Sequence, residues 1–112
     1  MPDIGLVDGV QSPALRSAVY KRDRGLCFYC LRKLNNRTRC LDHVIPRARR
    51  GPNSYRNLVS ACVECNSLKR DRSAVDHLRR LYRERRLSTA ELAARLRALD
   101  ALASGKLRPS LP

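Results

Sequence analysis

A chain of 112 residues has room for one domain, and four tyrosines, one phenylalanine and no tryptophan rule out a large aromatic core. Twenty-four lysines and arginines against ten acidic residues give a formal charge of +14, which argues against a basic partner and points to a polyanion, most often nucleic acid. No run approaches the ~20 apolar residues of a membrane span, and Met1-Pro-Asp-Ile-Gly5 lacks the charge and apolar run of a secretory leader, so an intracellular, cytoplasmic protein with no membrane partner is expected.

Residues 1–11 show no periodic pattern and read as a flexible arm. Ser12-Pro13 then supplies an N-cap followed by proline at the first helical position. Leu15, Ala18, Val19 and Arg22 follow at helical spacing, and Gly25 stops the helix. Its solvent face is expected to carry Arg16, Lys21, Arg22 and Arg24. Cys27-Phe-Tyr-Cys30 is a C-x-x-C knuckle, and Asn35-Asn36 a turn, because Asn tolerates the left-handed conformation. Thr38 to Ile45 reads as a strand. A basic loop from Arg47 to Asn53 ends in breakers, and Tyr55 to Ala61 reads as a second strand or extended run.

Cys62-Val-Glu-Cys65 is a second knuckle that opens a helix through Lys69. Ser73 with Asp76 resembles a capping box for a helix with Leu78, Leu81 and Tyr82 on one face and five arginines besides. Ser88 with Glu91 is a cleaner box for a last helix ending at Gly105, whose Leu92, Leu96, Leu99 and Ala103 read as core packing or else a dimer seam. The organisation is an arm (1–11), a core (12–72), a basic helical extension (73–105) and a tail (106–112) whose prolines suggest disorder.

Four thiolates in two knuckles suit a closed, tetrahedral structural Zn²⁺ site at Cys27, Cys30, Cys62 and Cys65, preferred to disulfides in a reducing compartment. The gap between the knuckles exceeds the ~15–20 residues of zinc ribbons, so spacing alone leaves metal-free buried thiols as an alternative. Between the knuckles, Asp42 and His43 lie in an apolar run closed by Pro46, and an ionisable pair is costly to bury there unless something uses it. Cys40 reads as a small core residue and His77, among arginines, as a surface one.

Tyr20-Lys-Arg-Asp-Arg-Gly-Leu-Cys27, Cys30, Leu41-Asp-His-Val-Ile-Pro46, Asn57-Leu-Val59 and Cys62-Val-Glu-Cys-Asn-Ser-Leu-Lys69 together resemble the HNH endonucleases, over roughly residues 16 to 72. The resemblance implies an α+β fold: a ββα-metal core with a structural four-cysteine zinc site and additional C-terminal helices, two strands and a helix gripping one divalent ion at the scissile phosphate. It implies that His43 is the general base, a role imidazole fills near neutrality. It makes Asp42 the anionic ligand of a catalytic Mg²⁺ or Mn²⁺, and Asn57 the holder of the loop that orients His43. Asn66 takes the last motif position, where many members have His. An amide oxygen is a hard ligand, so Asp42 and Asn66 suit Mg²⁺ or Mn²⁺, whereas imidazole would favour Zn²⁺ or Ni²⁺.

Neighbours in a regular strand point to opposite faces, so a bulge or fraying before Pro46 is expected at Asp42-His43. Arg47, Arg49 and Arg50 are expected to track a DNA backbone, and Lys69, three residues beyond Asn66, to contact phosphate. The expected function is metal-dependent hydrolysis of DNA phosphodiesters, RNA being the other candidate substrate, by a monomer or homodimer. The alternative is a zinc-stapled nucleic-acid-binding module without catalysis.

Overall fold

The computed structural model describes residues 11–111, so the arm expected at the N-terminus lies, but for Gln11, outside the described residues. Ser12 accepts a hydrogen bond from the Leu15 amide and Pro13 takes the first helical position, which starts α1 (Pro13–Arg22). Leu15, Ala18, Val19 and Tyr20 are its buried face. Gly25, at φ 69°, turns the chain into the first knuckle. In the Asn35 turn, the side-chain oxygen accepts from the Arg37 amide at 2.8 Å.

β1 (Arg39–His43) and β2 (Leu58–Cys62) pair antiparallel, with Cys40 opposite Ala61 and Asp42 opposite Val59. Both strands are shorter than their sequence signals. The turn at Asn35 delays the first, Pro46 ends its extension, and a turn from Ser54 to Asn57 delays the second. Every residue of β2 is buried, because α1 and the knuckle–helix unit both pack on it. α2 (Val63–Lys69) leaves the second knuckle directly.

α3 (Ala74–Arg83) is capped by Ser73, and α4 (Thr89–Ala103) by the full reciprocal box of Ser88 and Glu91. Their Leu78, Leu81, Leu99 and Leu102, with Leu87 of the connection between them, share one apolar cluster with Cys27, Cys62, Cys65, Phe28 and Tyr29. The helical extension therefore completes the core of the knuckles. On α4 the buried stripe finishes at Leu102; Ala103 is exposed.

Three side chains or segments depart from expectation. The Arg22 side chain is only 7% exposed: its guanidinium pairs with Asp23 at 2.9 Å and donates to the carbonyls of Tyr55, Leu58 and Leu107. Satisfying that many acceptors from a single fork is what guanidinium geometry allows. The same bond to Leu107 ties down the tail, which is irregular but packed, with Pro109 buried.

His77 is 1% exposed, not a surface residue. It meets Tyr29 edge to face at 5.1 Å, and neither ring nitrogen has a hydrogen-bond partner among the described residues. Burial, with the Lys69 charge second, pushes its pKa down to about 4. An unfolded imidazole protonates near ~6.5, so in between the unfolded chain binds the extra proton and stability falls as pH drops from about 6.5 toward 4. The loss attributable to His77 is about 3 kcal/mol at most. His77→Leu is expected to flatten that part of the pH dependence of urea unfolding; an unchanged slope would contradict it.

Among the described residues five non-glycine positions have positive φ: Arg24, Leu31, Arg50, Arg70 and Arg85. Such a backbone costs on the order of 1–3 kcal/mol at each non-glycine position.

Candidate functional site

The sulfurs of Cys27, Cys30, Cys62 and Cys65 all lie within 4.8 Å of one another. The knuckles bring this about locally: the amide of Cys30 points at the Cys27 sulfur (3.5 Å) and that of Cys65 at the Cys62 sulfur (3.3 Å). Cys62 is also the N-cap of α2, so one side chain both starts the helix and faces the cluster. The Cys30 and Cys62 sulfurs stand 3.8 Å apart, which matches the edge of about 3.8 Å in a tetrahedron with ~2.3 Å metal–sulfur bonds. With thiols this crowded, not all can carry charge unless a cation joins them. The contact with Cys30 pushes Cys27 up to about 12, whereas Cys30 is driven down and Cys65 up, chiefly by their contacts with Cys27. The four form a site able to hold one metal ion. Cys40 stays outside it, half-buried, with its thiol near the Ala61 carbonyl at 3.5 Å.

Asp42 and His43 sit at the end of β1, where pairing is regular through His43↔Leu58 and continues as Val44 N–H to the Asn57 carbonyl at 2.9 Å. The bulge or fraying expected here is absent, since the buried β2 holds every rung. The two side chains consequently take different surroundings. Asp42 is 5% exposed; its Oδ2 accepts from the Tyr29 hydroxyl at 2.6 Å and pairs with the Lys69 ammonium at 3.2 Å. Both of these contacts fall on Oδ2. Burial, then the charge of Asp42, pushes the Tyr29 phenol well above its ordinary value.

His43 is half-buried, with Nε2 2.6 Å from the Asn53 side-chain oxygen. The assignment that satisfies both groups puts the proton on Nε2 and leaves Nδ1 as the basic nitrogen. The loop that carries Asn53 is pinned by Asn57, which is 3% exposed: its oxygen accepts from the Ile45 amide at 2.8 Å, and its nitrogen donates to the Ile45 and Pro52 carbonyls at 3.1 and 3.0 Å. At Gly51 the chain passes so close that a Cβ would lie 1.7 Å from the Ile45 carbonyl oxygen, which only glycine avoids.

Lys69 corrects an expectation. It is fully buried, and besides Asp42 its ammonium donates to the His43 carbonyl at 2.8 Å. It is spent inside the fold and is not placed to meet phosphate. Asn66, three residues before Lys69 on α2, is exposed. Arg47 and Arg49 lie on a single 3-10 turn that Arg50 closes, all three exposed.

Two residues at the site were not singled out from sequence. In the sequence Tyr29 is one residue of a knuckle and Asn53 one of several breakers, and nothing in their residue types marks them as partners of Asp42 and His43. Among the described residues no helix is long and apolar enough to cross a membrane. The family model described as HNH endonuclease matches residues 27–72, which include both knuckles, Asp42, His43, Asn57 and Asn66. No curated protein matches the chain.

Proposed function

We propose that the chain, whose residues 27–72 match the HNH endonuclease family model, hydrolyses phosphodiester bonds in DNA with His43 as general base. The observation that carries this reading is the support around His43: Asn53 on its Nε2, Asn57 pinning the Asn53 loop, and Lys69 on its carbonyl. A base held so firmly is positioned to take a proton at Nδ1 from a water attacking phosphorus.

Asp42 and Asn66 would hold the catalytic ion. A carboxylate oxygen and an amide oxygen are hard donors, the kind Mg²⁺ and Mn²⁺ accept while keeping several waters. A bound ion of this kind supplies Lewis-acid polarisation of the phosphoryl group and stabilises the leaving 3′ oxygen. Arg47, Arg49 and Arg50, exposed just past His43, hold the strand by its phosphates and carry no base readout. The knuckle cysteines take structural Zn²⁺, in a reducing, intracellular setting that keeps their thiols available.

The second reading is a zinc-pinned binding module without catalysis. The Asp42–Lys69 pair favours it, since an internal cation already balances the carboxylate. Supercoiled plasmid separates the two. Zinc-loaded protein is expected to nick it with Mg²⁺ or Mn²⁺, with Zn²⁺ and Ni²⁺ poor substitutes in the catalytic role. His43→Ala is expected to cut the rate by about 10²–10⁴-fold while keeping DNA affinity. No nicking by wild type in any metal would establish the module, and equal nicking in all four metals would refute the oxygen-ligand site.

A further inference from the structure

Arg70 ends α2 at φ 51° and ψ −122°, and the Arg72 amide donates to the Lys69 carbonyl at 2.9 Å. Those angles with that bond make residues 69–72 a type II′ turn with Arg70 at its first central position. Glycine dominates that position because a Cβ crowds the chain there. Arg50, at φ 65° and ψ 30°, closes the 3-10 turn in the left-handed region, another backbone state that favours glycine.

Both arginines are exposed, and neither guanidinium has a hydrogen bond or ion pair with a described residue. The fold thus carries strain at two positions without an internal contact that uses the side chain. Compensation of the helix end does not account for it either, because Lys69 and Arg47 with Arg49 already place cations in those last turns.

Their location supplies the reason. Arg70 follows directly on Lys69, whose ammonium holds the His43 carbonyl. Arg50 stands three residues before Asn53, whose oxygen holds His43 Nε2. The two strained arginines therefore enter through the two segments that grip His43. Arg24 and Arg85 also have positive φ just past α1 and α3, but among the described residues no hydrogen bond joins their segments to His43.

We propose that Arg70 and Arg50 form a clamp on the two backbone phosphates that flank the phosphodiester presented to His43, the positive-φ turns serving to turn these guanidinium groups outward. The proposal rests on the nuclease reading for the identity of its partner and goes beyond it in assigning Arg70 a role and pairing it with Arg50.

The test uses the full, zinc-loaded chain and a duplex oligonucleotide of arbitrary sequence. Arg70→Gly and Arg50→Gly are compared with Arg24→Gly and Arg85→Gly, which remove the same charge from positive-φ positions elsewhere. Glycine relieves the strain, so all four variants are expected to keep the wild-type melting temperature or to gain up to about 4–8 °C. Arg70→Gly and Arg50→Gly are each expected to lose about tenfold in affinity and to lower the slope of log K against log salt by about 0.9, while the two comparison variants change affinity by less than about twofold. Unchanged affinity and slope in Arg70→Gly would overturn the clamp. Equal losses in all four would overturn it too, in favour of a diffuse basic field. Wild type that neither binds nor nicks the duplex would instead defeat the nuclease reading on which the clamp rests.

Discussion

Replacing Cys65 with serine is expected to leave the chain without a cooperative fold. Cys65 is fully buried, and its sulfur belongs to the four-thiol cluster. Phe28, Tyr29 and the leucines of α3 and α4 pack around that same cluster, so the largest apolar body of the protein is assembled on it. Structural zinc contributes about 10–16 kcal/mol of apparent binding energy in small zinc-dependent domains, whereas the net stability of a whole domain is only about 5–15 kcal/mol. Without the ion, the crowded thiols also lose the charge that would neutralise them. Far-UV circular dichroism on heating, with zinc release followed by a chromogenic chelator, checks this. Wild type is expected to release one ion per chain on melting, and Cys65→Ser to hold none and melt without a transition. A zinc-free Cys65→Ser protein that melts cooperatively within about 5 °C of wild type would contradict the account.

Lys69→Met is the second large effect, and it concerns the joint between scaffold and site. The ammonium is fully buried between Asp42 and the His43 carbonyl. Taking it away leaves the Asp42 carboxylate in the interior with the Tyr29 hydroxyl as its remaining contact. Breaking a buried pair in this way typically costs about 3–5 kcal/mol, whereas replacing both partners by neutral groups of similar shape is often nearly neutral. Urea unfolding should therefore show Lys69→Met strongly destabilised and the double variant Lys69→Met, Asp42→Asn largely restored. A single variant within about 1 kcal/mol of wild type would mean that the pair does not hold the strand to α2.

Local chemistry explains which parts of this arrangement are legible in the sequence. Caps act through neighbours in the chain, so Ser12, Ser73 and Ser88 marked three helix starts correctly. Knuckle spacing likewise brought Cys27, Cys30, Cys62 and Cys65 together. The misjudged residues are polar groups whose burial is decided by distant segments. Arg22 finds its acceptors on Tyr55, Leu58 and Leu107, far along the chain. Lys69 reaches back to Asp42 and His43 across the sheet. His77 is enclosed because α3 lays it against Tyr29, although the arginines around it in sequence mark a wet surface. The regular end of β1 was misjudged for a related reason: β2, buried along its whole length, enforces pairing that the run around Asp42 does not reveal by itself.

The central claim is that a divalent ion and the His43 imidazole meet beside α2. Substoichiometric Mn²⁺ added to zinc-loaded protein tests it directly, because the paramagnetic ion broadens the NMR signals of nuclei close to it. The account predicts that the His43 ring, Asp42 and the Asn66 side-chain amide broaden first and together, and that Asp42→Asn weakens the effect. Sharp His43 and Asn66 signals, with broadening confined to acidic residues elsewhere, would contradict it.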